Sequence, residues 1–66
     1  MQIQLNGEAR DLAPGLTLAQ LIDSLGLSGR RIAVERNEEI VPKSEHETTS
    51  LTDGDRIEIV HAIGGG

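Results

Sequence analysis

The sequence predicts a small two-layer α+β domain, with one main helix packed across one face of a small mixed β-sheet. Three observations predict it. Leu18, Leu21, Ile22 and Leu25 recur at the i, i+3, i+4, i+7 spacing that gives a helix one apolar stripe. On either side of that stripe, short segments alternate apolar and polar residues with the period of two of a half-buried strand. The chain holds a single such helical stripe, and the smallest arrangement that buries one stripe is a helix laid on a sheet.

Each element has its own grounds. Met1, Ile3 and Leu5 alternate with Gln2 and Gln4 as a first strand. Asn6-Gly7 follows, the pair best suited to a type I′ turn, which needs two residues at positive φ. Residues 8–12 return as a second strand; Leu12 is its only large apolar residue, which puts it at a sheet edge, and Pro14-Gly15 ends it. Thr17 and Gln20 form a capping box, with Leu16 and Leu21 as the hydrophobic staple around it. Gly26 stands where a left-handed residue closes a helix, and Leu27 folds back towards Ile22. Ser28-Gly29-Arg30 is a loop. Ile32 and Val34 mark a third strand, Asn37 a turn, and residues 38–41 a short fourth strand stopped by Pro42. Residues 43–50 are polar without a period and read as a loop or irregular turn. Asp53-Gly54-Asp55 turns into a last strand over residues 56–61. There Ile57 and Ile59 share one face, while Glu58, Val60 and Ala62 share the other. The path from the second strand through the helix to the third is a crossover, right-handed if those strands are parallel; nothing in the composition fixes the strand order.

Sixty-six residues make one domain, assigned to residues 1–62, with residues 63–66 as a flexible carboxyl-terminal glycine tail. A chain this short buries only about 60% of its unfolded surface. It has no cysteine and no aromatic residue, so its core must come from Leu, Ile, Val and Ala. Such a core is too small to enclose a pocket of about 300 Å³ or more, which argues against a self-contained enzyme. A net charge of −5, from 11 acidic and 6 basic residues, argues against nucleic acid and favours partners with basic surface. There is no signal-peptide pattern and no apolar run near the ~20 residues of a membrane span. The expectation is a cytoplasmic protein with no bound metal or cofactor.

The closing Ala62-Ile63-Gly64-Gly65-Gly66 is the strongest functional signal. Glycine has no Cβ, so such a run threads a narrow slot, and a terminal glycine offers an unhindered carboxylate. The competing explanation is a frayed terminus, because disorder concentrates at chain ends. Val60 and Ala62 lie beside the tail on the face opposite Ile57 and Ile59 and, with Glu58, form a candidate docking surface. His46 and His61 have no metal-ligand spacing and read, like Arg30-Arg31, as solvated side chains.

Together these segments resemble the ubiquitin-like β-grasp fold and, more narrowly, the ThiS family of bacterial sulfur carriers of thiamin biosynthesis, along the whole chain. The resemblance is carried by the Met1-to-Gly7 hairpin opening, by Ala33-Val34 with Asn37 and Glu39-Ile40-Val41-Pro42-Lys43, by Asp53-Gly54-Asp55-Arg56-Ile57, and by Ile63-Gly64-Gly65-Gly66. Their order and spacing is specific where no single one is. Lys43 stands where members often have Arg, and the third glycine, Gly64, leaves the pair Gly65-Gly66 in register.

The resemblance implies a protein that is not itself an enzyme. Its Gly66 carboxylate would be adenylated with ATP by a ThiF-type adenylyltransferase and converted to a thiocarboxylate with sulfur from a cysteine-derived persulfide. That sulfur would pass to a ThiG-type thiazole synthase, with Ile63, Gly64 and Gly65 recognised by the partners. Absence of cysteine is consistent with carriage at the carboxyl terminus. Related readings stay open: a molybdopterin-synthase-type carrier, a ubiquitin-like protein modifier, or a non-covalent β-grasp interaction domain with an inert tail. Molybdopterin-type carriers tend to be longer and richer in aromatics.

Overall fold

The computed structural model describes residues 1–61. It contains β1 (Gln2–Leu5), β2 (Glu8–Asp11), α1 (Leu18–Ser24), β3 (Ile32–Arg36), β4 (Glu39–Ile40), a 3₁₀ turn over Lys43–Glu45 and β5 (Arg56–His61). The five strands form one mixed sheet in the order β2-β1-β5-β3-β4. β1 runs antiparallel to β2 and parallel to β5, and β5 antiparallel to β3. The last strand therefore occupies the middle of the sheet. β2 and β3 run the same way, but β1 and β5 lie between them, so the helix-bearing crossover spans two strands.

The local signals resolve as the residues predict. Asn6 and Gly7 take φ of 50° and 84°, and the turn pairs Leu5 with Glu8. β2 is an edge strand and exposed along its length. At the helix start the capping box is complete: the Thr17 hydroxyl accepts from the Gln20 amide and the Gln20 carboxamide from the Thr17 amide. At the other end the Leu27 amide donates to the Ile22 carbonyl (3.1 Å) and the Gly26 amide to Asp23 (3.0 Å), with Gly26 at φ 72°. Both bonds of the glycine-closed helix end are present.

Leu12 and Val41 fall just outside β2 and β4, and two segments differ further from expectation. Glu38 belongs to a turn, not to the fourth strand: Asn37 and Glu38 sit at φ 52° and 70°, joining Arg36 to Glu39 in a two-residue hairpin. A glutamate at positive φ is uncommon; here its carboxylate pairs with the Arg56 guanidinium at 2.8 Å. Residues 43–50 are more ordered than a polar loop suggests. The segment passes the helix start, where the Leu18 amide donates to Thr49 (2.8 Å) and the Ala19 amide to His46 (2.9 Å). With the capping box, this satisfies all four amides that a helix start leaves without intrahelical partners. Leu51 then enters the core, its amide bonded to Leu16 at 2.9 Å.

The core consists of Ile3, Leu5, Leu18, Leu21, Ile22, Val34, Leu51, Ile57 and Ile59. All are aliphatic. The outer face of the sheet carries the exposed residues of the final strand, Glu58 and Val60.

Candidate functional site

The candidate site is β5 and the sheet face around it. The turn over residues 52–55 sets the strand's start. Asp55 is buried; its carboxylate accepts from the Thr52 amide (2.8 Å), Arg36 Nε (3.0 Å) and Asn37 Nδ2 (3.0 Å). A buried charge is tolerable when paired and hydrogen-bonded like this. Asp53 accepts from the Gln2 amide (2.7 Å), and Gly54, at φ 88°, donates to the Gln2 carbonyl (2.8 Å). Asp53-Gly54-Asp55 is thus a turn stapled to both neighbours of β5, more than the tight turn its sequence implies.

Along β5 the faces alternate as predicted. Ile57 and Ile59 are buried, while Glu58 and Val60 point outward, with Val60 at 58% exposure. The register puts Glu58 opposite Glu35, and Val60 opposite Ala33, on β3; Ile40 on β4 lies opposite Glu35. Ile40 (74% exposed) and Val60 are the exposed large hydrophobics among the described residues, and both are on this face. Directly opposed like charges destabilise a sheet. Neither Glu35 nor Glu58 belongs to an ion pair among the described residues. The face therefore combines unpaired acidity with exposed aliphatic surface, a combination suited to a basic and apolar partner. Glu35 and Ile40 were not assigned to the docking surface from the sequence, because cross-strand register, which groups them with Glu58, is not a local signal.

Ala62, Ile63, Gly64, Gly65 and Gly66, which carry the rest of the predicted docking surface and the whole tail, lie outside the described residues, as does the proposed boundary after residue 62. What the described residues fix is the point of departure: β5 enters His61 paired with Ile32 of β3.

His46 corrects the sequence reading. It is buried, not solvated, with Nε2 3.0 Å from the Val41 carbonyl. Its segment is polar, but it is drawn against the helix start by the backbone bonds described above, so the imidazole is covered by a contact that no local pattern records. His61 is exposed. Among the described residues, no three His, Cys, Asp or Glu side chains gather to hold a metal ion, and no helix is long and apolar enough to cross a membrane.

A mixed sheet of this order with one helix across it, presenting its last strand centrally, is a ubiquitin-like β-grasp domain. The sequence matches the ThiS family model over residues 3–66. The chain belongs to the ThiS family, and among the relatives it matches over nearly their full length are proteins named sulfur carrier protein ThiS. It is 40% identical over 68 aligned positions to the sulfur carrier protein ThiS of Bacillus subtilis, covering 97% of this chain and 98% of that one. A crystal structure of a ThiS thiamine biosynthesis protein from Geobacter metallireducens superposes with a TM-score of 0.87 at 28% identity, over the full length of both chains. The chain is also 47% identical over 66 residues to a thiazole synthase of Paramagnetospirillum magneticum, of which it spans only 20%. In that protein a domain of this kind and a thiazole synthase share one polypeptide.

Proposed function

We propose that this chain carries sulfur as a thiocarboxylate on Gly66 and delivers it to a thiazole synthase. A carboxylate is a poor acyl donor, since its charge repels nucleophiles and oxide is a poor leaving group. Attack of the Gly66 carboxylate on the α-phosphorus of ATP, catalysed by a ThiF-type adenylyltransferase, expels pyrophosphate and leaves an acyl-adenylate. The terminal sulfur of a cysteine-derived persulfide then displaces AMP. A thiol cleaves the resulting acyl disulfide, giving the thiocarboxylate and a new disulfide. ATP is the partner enzyme's substrate, and a cytoplasmic carrier would meet that enzyme where ATP is supplied.

The observation that carries this reading is the family match, which runs through the terminal glycines. The relative that holds a like domain within a thiazole synthase supports that synthase as the acceptor. For docking, Glu58, Val60 and Ala62 are the centre of the partner surface, extended by Glu35, Ala33 and Ile40, with Ile63, Gly64 and Gly65 threading the partner's slot.

Incubation with the cognate adenylating enzyme, ATP and a persulfide donor tests the chemistry. The expected result is an oxygen-to-sulfur mass increment confined to the carboxyl-terminal peptide. An increment elsewhere, or none with an enzyme shown to be competent, would remove the proposal.

A further inference from the structure

Asn6 and Asn37 occupy equivalent places in two hairpins, and both reach β5. Asn37 donates its amide to the Arg56 carbonyl (2.8 Å), and its Oδ1 accepts from the Arg56 amide (2.9 Å). This ties the start of the strand. Asn6 ties its far half. Backbone pairing between β1 and β5 ends at Leu5 and Ile57, after which the Asn6 amide makes one more bond, to the Ile57 carbonyl (2.9 Å). The chain then turns away into the hairpin, which would leave the next amide and carbonyl of β5 facing no strand. The Asn6 carboxamide fills both places: Oδ1 accepts from the Ile59 amide (2.9 Å) and Nδ2 donates to the Ile59 carbonyl (3.2 Å). One side chain thus does what another residue of parallel strand would do.

We infer that Asn6 is a positioning residue for the tail: its carboxamide continues the β1 side of the sheet to Ile59, so that β5, from which the tail continues, is held from both sides almost to its end. On the other side β3 pairs with β5 as far as His61. Removing the Asn6 grip leaves the strand held from β3 alone over its last residues. The end of β5 then samples a wider range of directions, and a smaller fraction of docked complexes holds the carboxylate correctly, since productive geometry is lost by displacements of about 1 Å. The kinetic half of this inference rests on the proposed function; the structural half does not.

Asn6→Gly separates the grip from the turn, because Gly-Gly also supports a type I′ hairpin. Its Ile59 amide should exchange with solvent about tenfold faster than in the wild type, the equivalent of one lost hydrogen bond. The Val60 amide, on the strand paired with β3, should change less than twofold. In adenylation assays with the cognate enzyme, kcat should fall about tenfold or more while KM stays within about twofold, because the docking face is untouched. Ile3→Val, assayed where its melting temperature margin matches that of Asn6→Gly, should show neither change. Unaltered Ile59 exchange would overturn the grip, and equal loss of kcat in Ile3→Val would reduce Asn6 to a stability role. A KM rise at constant kcat would also overturn the inference, since it would put Asn6 in docking. If the wild type itself is not adenylated, the function proposal falls, while the exchange result still decides whether Asn6 holds β5.

Discussion

Val60→Glu and Ile59→Glu place the same charge on adjacent residues of one strand and should have opposite consequences. Ile59 is 6% exposed and belongs to the core. Its replacement forfeits the burial of an isoleucine, about 1.5–3 kcal/mol. It also puts a carboxylate among aliphatic side chains at a further cost of about several kcal/mol. A domain of this length is stable by only about 3–10 kcal/mol, so Ile59→Glu should not fold. Val60 stands 58% exposed, opposite Ala33 and diagonal to Glu35. The new charge meets water on one side and a like charge at diagonal distance on the other, costing the fold about 0.2–1 kcal/mol. In the complex the same carboxylate is stripped of water at the centre of the interface, a loss of about 2–5 kcal/mol or more, or at least about 30-fold in Kd. Circular dichroism melts and calorimetric titration against the adenylating enzyme and the thiazole synthase read the two effects separately. Wild-type affinity of a folded Val60→Glu for both partners would refute the assignment of this face, and a well-folded Ile59→Glu would refute the core assignment of β5.

Three further outcomes follow from the same geometry. Deleting Gly65-Gly66 should change stability by less than about 0.5 kcal/mol, as surface changes do, yet abolish adenylation; a deletion that unfolds the domain in a thermal melt would contradict a tail independent of the core. Leu21→Ala, at a 2% exposed position on the helix stripe, should cost about 2–5 kcal/mol in urea denaturation while the fraction still folded is adenylated normally. Asp55→Ala strands Arg36, Asn37 and the Thr52 amide together and should cost about 3–5 kcal/mol. A loss below about 1 kcal/mol in the same denaturation series would mean that the Asp55 cluster does not hold the start of β5.

The parts of the molecule legible in the sequence are those whose physics is local. Thr17 and Gln20 satisfy each other across three residues, Gly26 closes the helix it follows, and Asn6-Gly7 fixes its hairpin without help from elsewhere. The faces of β5 were also legible, because Ile57 and Ile59 alternate with Glu58 and Val60 whatever the neighbours are. Strand order was not. Nothing near residues 56–61 says that the last strand inserts between β1 and β3, and the placing of Glu58 beside the Glu35–Ile40 pair follows only from that insertion. His46 and Leu51 were missed for a related reason: their burial comes from carbonyls of residues 46 and 49 meeting helix amides at residues 18 and 19. That contact is made by backbone, which composition does not encode. Glu38 escaped because its positive φ comes from the two-residue hairpin that joins Arg36 to Glu39, a conformation that a glutamate does not signal. Asn6 was read correctly as a turn residue and incompletely, since its second role depends on a strand more than 50 residues further on.

The most direct test of sulfur carriage is the mass of the intact protein isolated from its own cells during thiamin limitation, followed by fragmentation of the carboxyl-terminal peptide. A population bearing sulfur in place of one carboxyl oxygen on Gly66, which disappears when the adenylating enzyme is deleted, is the predicted result. A terminus that is carboxylate throughout, or one joined through an isopeptide to lysines of other proteins, would contradict it.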